Sequence, residues 1–164
     1  MGKLEKSKET NSDNISAQIT YAITLQQTDN QKEALNLYDK ILKINPTNYQ
    51  LHLSKGHLYK TFGQINESIK SYKQSYKVNN TFGDSYWSLA NLKTYKFDNN
   101  EISSLKKMIN DEFIPNEEKI FMHFALGKVF EDSKDFHESF KHYELGNKLK
   151  IPYTKYKIQK FEEE

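Results

Sequence analysis

Five histidines (His52, His57, His123, His137 and His142) and the acids Glu131, Asp132, Asp135 and Glu138 are the residues of this 164-residue chain whose types could do chemistry. Two imidazoles on one helix hold a metal when three or four residues apart. His137 and His142 are five apart. His52 and His123 read as packing residues in aromatic places, and His57 has no Ser, Asp or Cys spaced to make it a relay. A carboxylate-pair hydrolase needs its acids across a cleft, whereas acids crowded into residues 131–138 read as a solvated turn. "FGQINES" (62–68) lacks the successive glycines and the Lys-Ser/Thr of a phosphate loop. The expectation is no catalysis, no metal and no cofactor. What remains is "GDSYWSLANLKTYKFDNNEI" (83–102), with the only tryptophan, an aromatic ladder and an asparagine among lysines.

The elements that position these residues follow from an internal period. "NQKEALNLYDKILKINPTN" (30–48) matches "GQINESIKSYKQSYKVNNTF" (63–82), so that Ala34 maps to Ser68, Tyr38 to Tyr72, Ile41 to Ser75 and Pro46 to Asn80, each 34 residues on. Ala22, Gly56 and Ala90 keep the same step, and a further copy in 121–150 places Gly127, Ser139 and Tyr143 in register after a slip of three residues near "DEFIPNEE" (111–118). Small residues let paired helices approach, and the tyrosines fill the space between pairs. Short amphipathic helices cannot bury their apolar faces alone, so stacking must supply the core. The turns fall at Asp29-Asn30, Phe62-Gly63, Asp98-Asn99-Asn100 and Ser133-Lys134-Asp135, and Pro46 and Asn79-Asn80-Thr81 end second helices.

A 34-residue helix-turn-helix unit with these small and aromatic places resembles the tetratricopeptide repeat. The resemblance implies an all-α, right-handed superhelical solenoid of antiparallel helix pairs. The repeats are assigned to 15–48, 49–82, 83–116 and 120–153, with a flexible tail at 1–14 and a capping helix, or the start of a missing segment, at 154–164. The third is least regular: its second helix reads "EISSLKKMINDEF", with Lys106 where its neighbours have tyrosine.

In this register Tyr86, Leu89, Ala90 and Lys93 face the paired helix, and Trp87, Asn91, Thr94 and Tyr95 lie on the other side of the same helix. The family resemblance implies that this other side lines a concave groove. Trp87 then either packs against a neighbouring helix or, with Tyr95, anchors a ligand whose backbone Asn91 could pair. The same positions add Ile19 and Ile23, then Leu53, His57 and Lys60, then Phe124 and Lys128. The expected partner is a protein or peptide with apolar side chains and some acid. A clamp for an acidic chain terminus, as in the family's heat-shock co-chaperones, needs several Lys, Arg and Asn at fixed groove positions. Here only Asn91 fits.

Residues 80–150 also resemble the repeat region that precedes the catalytic domain in bacterial repeat-plus-sulfotransferase proteins, chiefly over Trp87–Phe97, Phe124–Glu131 and Tyr143–Lys150. An accessory role in acceptor recognition is the alternative this implies, since the chain has no loop for a phosphosulfate donor. Self-association through the Trp87 surface is a third reading.

The bulk composition fits a binding module. Charged residues make up 28%, the net charge is only +2, and no basic stripe points to nucleic acid. There is no cysteine, and no apolar run is long enough for a membrane span. The polar start, without an apolar segment, is unlike a secretory leader, so the expected location is cytoplasmic.

Overall fold

The computed structural model describes residues 15–28 and 30–162, and every element in it is an α-helix. In chain order these are α1 (15–26), α2 (Gln31–Ile44), α3 (Tyr49–Thr61), α4 (Ile65–Val78), α5 (Gly83–Ala90), α6 (Asn99–Met108), α7 (Asn116–Asp132) and α8 (Phe136–Glu162). The chain divides into two compact units, Met1–Ser71 and Tyr72–Glu164. The tail expected at 1–14 lies outside the described residues.

In the first unit α2 carries Ala34, Tyr38, Ile41 and Leu42 on one face, spaced by four, three and one. They join Ala22, Leu25, Leu51 and Leu58 in a single core. Burying each large member contributes roughly 1.5–3 kcal/mol. The buried Tyr38 hydroxyl donates to Gln26 Oε1 at 2.7 Å, which satisfies its one polar atom. Helix α2 stops at Ile44 because Pro46 restricts Asn45 and has no N–H. Asn48 caps α3 by accepting from the Leu51 amide at 3.0 Å. Gly63, at φ 71°, turns α3 into α4 in a left-handed conformation that glycine adopts without strain.

The second unit has a core of Tyr86, Ala90, Leu105, Ile114, Met122, Ala125 and Leu126. Its α7–α8 hairpin turns at Lys134, φ 64°, which stands 71 residues after Gly63. Gly127 is required here: a Cβ on it would come within 2.8 Å of the Tyr143 ring.

Three expectations change. Helix α5 ends at Ala90 and the chain turns through Lys93 at φ 58°, so Lys93, Thr94 and Tyr95 are not on the helix that carries Trp87. Helix α6, expected to run through "EISSLKKMINDEF", ends at Met108, and Phe113 at the end of that stretch is 88% exposed. Helix α8 runs through Pro152 to Glu162, so the expected separate capping helix is a continuation of it. The side chains of 153–164 lie outside the described residues.

Candidate functional site

The break after α5 is built by named groups. Asn91 is the helix C-cap, and its Nδ2 donates to the Trp87 carbonyl at 3.0 Å, so the amide expected to pair with a ligand already bonds its own helix. Thr94 N–H donates to Leu92 O at 2.6 Å and closes a tight turn. The chain re-enters a helix through a capping box: Asp98 accepts from the Glu101 amide at 2.8 Å, and Glu101 accepts from the Asp98 amide at 3.0 Å.

Glu101 does more than cap. Its carboxylate, only 13% exposed, also accepts from the Tyr95 hydroxyl at 2.6 Å and the Tyr76 hydroxyl at 2.7 Å, and it pairs with Lys73 at 3.2 Å. Burial works to raise its pKa. Hydrogen bonds from Tyr95, Tyr76, the Asp98 amide and Lys73 outweigh that and hold it below the usual carboxylate value. Burial together with the carboxylate raises the pKa of Tyr76 and Tyr95. Tyr95, placed at sequence level among the groove anchors, is therefore a member of this network, and its ring meets Phe97 edge-on at 5.0 Å.

The structure brings Trp87 and Phe124 together. Both are half-buried, with ring centroids 5.7 Å apart, and Phe124 continues to Tyr143 at 6.4 Å. Gly146 leaves room for this ladder, since a Cβ there would meet the Phe124 ring at 2.7 Å. Lys128 lies one turn beyond Phe124 and is already paired with two carboxylates, Glu131 and Asp132, at 3.0 Å each. It does not offer an unpaired cation to an acidic ligand. A cleft of about 320 Å³ is lined by Ala90, Tyr95, Phe97, Ile102, Phe130 and Asp132 among others, and by none of the three ladder rings.

The remaining candidates lie in the first unit. Leu53 is buried at 7% exposure and has little surface to offer; His57 is half-buried and Lys60 exposed, both on α3. Ile19 is half-buried and Ile23 is 44% exposed on α1.

The residues weighed for chemistry are placed as follows. Asp135 accepts from the Glu138 amide at 3.2 Å, Glu138 pairs with Lys141 at 3.1 Å, and Glu131 and Asp132 hold Lys128. No group of three or more His, Cys, Asp or Glu that could hold a metal occurs among the described residues. His52 Nε2 lies 2.9 Å from the Pro46 carbonyl. His123 and His142 form a buried pair with Nδ1 atoms 3.0 Å apart, and Phe130 stacks on the other side of His142 at 5.5 Å. Burial lowers the pKa of both rings, that of His123 to about 4. The sequence reading treated these two separately. The register contained the signal, because His123 and His142 repeat Gln18 and Leu37 at a spacing of 105 residues.

A tetratricopeptide-repeat family model matches residues 37–70, one repeat length that runs from within α2 to within α4. No curated protein matches the chain by sequence. Among solved structures, a crystal structure of MamA superposes with a TM-score of 0.60 over 92% of this chain and 86% of its own, at 15% identity. The structure described as MamA MSR-1 C2 gives a TM-score of 0.55 at 17% identity, over 85% of this chain and 78% of its own. The MamA RS-1 ArsTM double mutant gives 0.56 at 16% identity, over 85% and 76%. At such identities the likeness is one of fold. The chain thus contains a tetratricopeptide repeat and has an all-helical fold shared with these MamA structures.

Proposed function

We propose that the chain is a non-catalytic scaffold that binds a protein or peptide on the aromatic surface made by Trp87, Phe124 and Tyr143. The observation that carries this reading is the half-buried Trp87 ring tilted against Phe124 at 5.7 Å. Rigid aromatic rings held by a packed helix pair lose little freedom on binding and make efficient anchors. Because Asn91 and Lys128 already have internal partners, the ligand is read as an apolar segment with its own backbone satisfied, such as an amphipathic helix. Leu53, His57 and Lys60 would belong to a separate surface of the first unit. The accessory role beside a sulfotransferase domain rests on the resemblance of residues 80–150 alone, and retention of a sulfate acceptor would be its test.

Trp87 is the only tryptophan, so its fluorescence reports on this surface without a label. Peptides panned from a random display library on the intact chain should carry apolar residues at helical spacing and shift the Trp87 emission. Their affinity should fall about tenfold or more in a Trp87→Ala variant. Peptides that leave the emission unchanged and bind both proteins equally would place the working surface elsewhere.

A further inference from the structure

The two ends of the described chain expose opposite halves of the packing that the repeats use internally. Leu51 and Leu58 of α3 are buried in a core with Ile41 and Leu42 of the preceding helix, and Met122 and Leu126 of α7 are buried in a core with Leu105 of α6. The same register places on α1 are Ala17, Tyr21 and Thr24, and all three are exposed, Tyr21 at 53%. No charged residue occurs from Ile15 to Thr28, in a chain that is 28% charged. A helix face left to water ordinarily carries charged or polar residues, and this one has no charge and holds Ala17 and Tyr21.

A second observation points to the same end. A cleft of about 530 Å³ between α1 and α2 is lined by Gln18, Glu33, Asn36, Leu37 and Lys40 among others. The residues 105 positions later, His123, Glu138, Lys141, His142 and Leu145, line the matching cleft between α7 and α8. There the preceding second helix, α6, flanks the cleft with Lys106, Ile109 and Asn110. At α1–α2 no helix precedes among the described residues. The other end has the converse feature. Phe136 and Phe140, one turn apart on α8, are 66% and 71% exposed, whereas their register counterparts Gln31 and Leu35 in α2, and Ile65 and Ile69 in α4, are half-buried.

We propose that the occupant of both open ends is a second copy of this chain: α8 of one copy packs over α1 and the α1–α2 cleft of the next. The contact repeats the relation that α6 has to α7 and α8, and it uses a surface apart from Trp87. Such a contact is head-to-tail, with a different patch used on each of the two copies, so it joins copies in series and not as a self-complementary pair.

Sedimentation velocity of the intact chain between about 10 μM and about 1 mM, the range where weak interfaces act, tests this. The average mass should climb with concentration without levelling at two chains. Phe140→Glu and Tyr21→Glu change exposed residues, so both variants should keep the native circular dichroism, and each alone should stay monomeric. Their equimolar mixture should form a heterodimer and stop there, because one variant keeps its α1 end and the other its α8 end. A wild-type mass that stays at one chain, or levels at two, would overturn the proposal. So would self-association that survives either substitution.

Discussion

In the second helix pair the Ser68 hydroxyl donates to the Gly56 carbonyl at 2.8 Å, and 71 residues later Ser139 donates to Gly127 at the same distance. Both bonds are buried and join the two helices of one pair where the small residue lets them meet. The third pair has Ala90 and Ile102 in these places, with no hydroxyl, and its first helix is cut to eight residues. Instead Glu101 ties its second helix, α6, to α4 through Tyr76 and Lys73 and to the preceding linker through Tyr95 and the Asp98 amide. The second helix of the irregular pair is therefore held by a polar network where its counterparts in the regular pairs are held by a hydroxyl. Shortening α5 also leaves Trp87 within one turn of a helix end, next to Phe124.

The difference can be broken most severely at Glu101. Glu101→Ala leaves two half-buried tyrosine hydroxyls without their acceptor and Lys73, which still donates to the Tyr95 oxygen, without its ion pair, and we expect a loss of about 3 kcal/mol in urea unfolding. In the regular fourth pair, Gly127→Ala forces a methyl against the Tyr143 ring and should cost about 2 kcal/mol. Removing one hydroxyl is milder: Ser68→Ala and Ser139→Ala should each lose about 1 kcal/mol, and equal losses would sharpen the equivalence of the two pairs. The smallest effect has the opposite sign. Lys134→Gly relieves a left-handed non-glycine residue and should stabilise by about 0.5 kcal/mol, measurable as a rise in Tm.

Acid should also separate the two regions. His123 has a folded pKa of about 4, below its ordinary unfolded value, so the unfolded chain takes up the proton first. Its contribution is complete above the unfolded pKa and is lost as pH falls from about 6.5 towards 4. Glu101, also lowered, keeps its contribution until the pH falls below the usual carboxylate value. Tm measured across pH 7 to about 2 should decline first through the histidine pair and only below the usual carboxylate value through Glu101. A His123→Leu, His142→Phe variant should flatten that early decline and leave the later one.

Most of the helix pairing was legible, because the 34-residue register is carried by small and aromatic residues whose burial fixes it: Ala34, Tyr38, Ser68 and Tyr72 are all 0% exposed. The end of α5 was hidden, since "NLKTYKF" keeps apolar residues at helical spacing and only the Lys93 conformation and the Asn91 cap stop the helix. Tyr95 was misplaced for the same reason. The role of Glu101 required knowing that Lys73, Tyr76 and Tyr95 converge, which no local pattern reports. The nearness of Trp87 and Phe124 was implied by their shared register face, but the gap at Gly146 that seats Phe124 was not.

The most direct test of the account is capture of binding partners from the source cell's lysate by the intact chain and by Trp87→Ala, with both proteins confirmed as folded by circular dichroism. The account predicts a specific partner retained by the first and lost by the second. Equal retention by both would contradict the assignment of the Trp87–Phe124 surface as the working one.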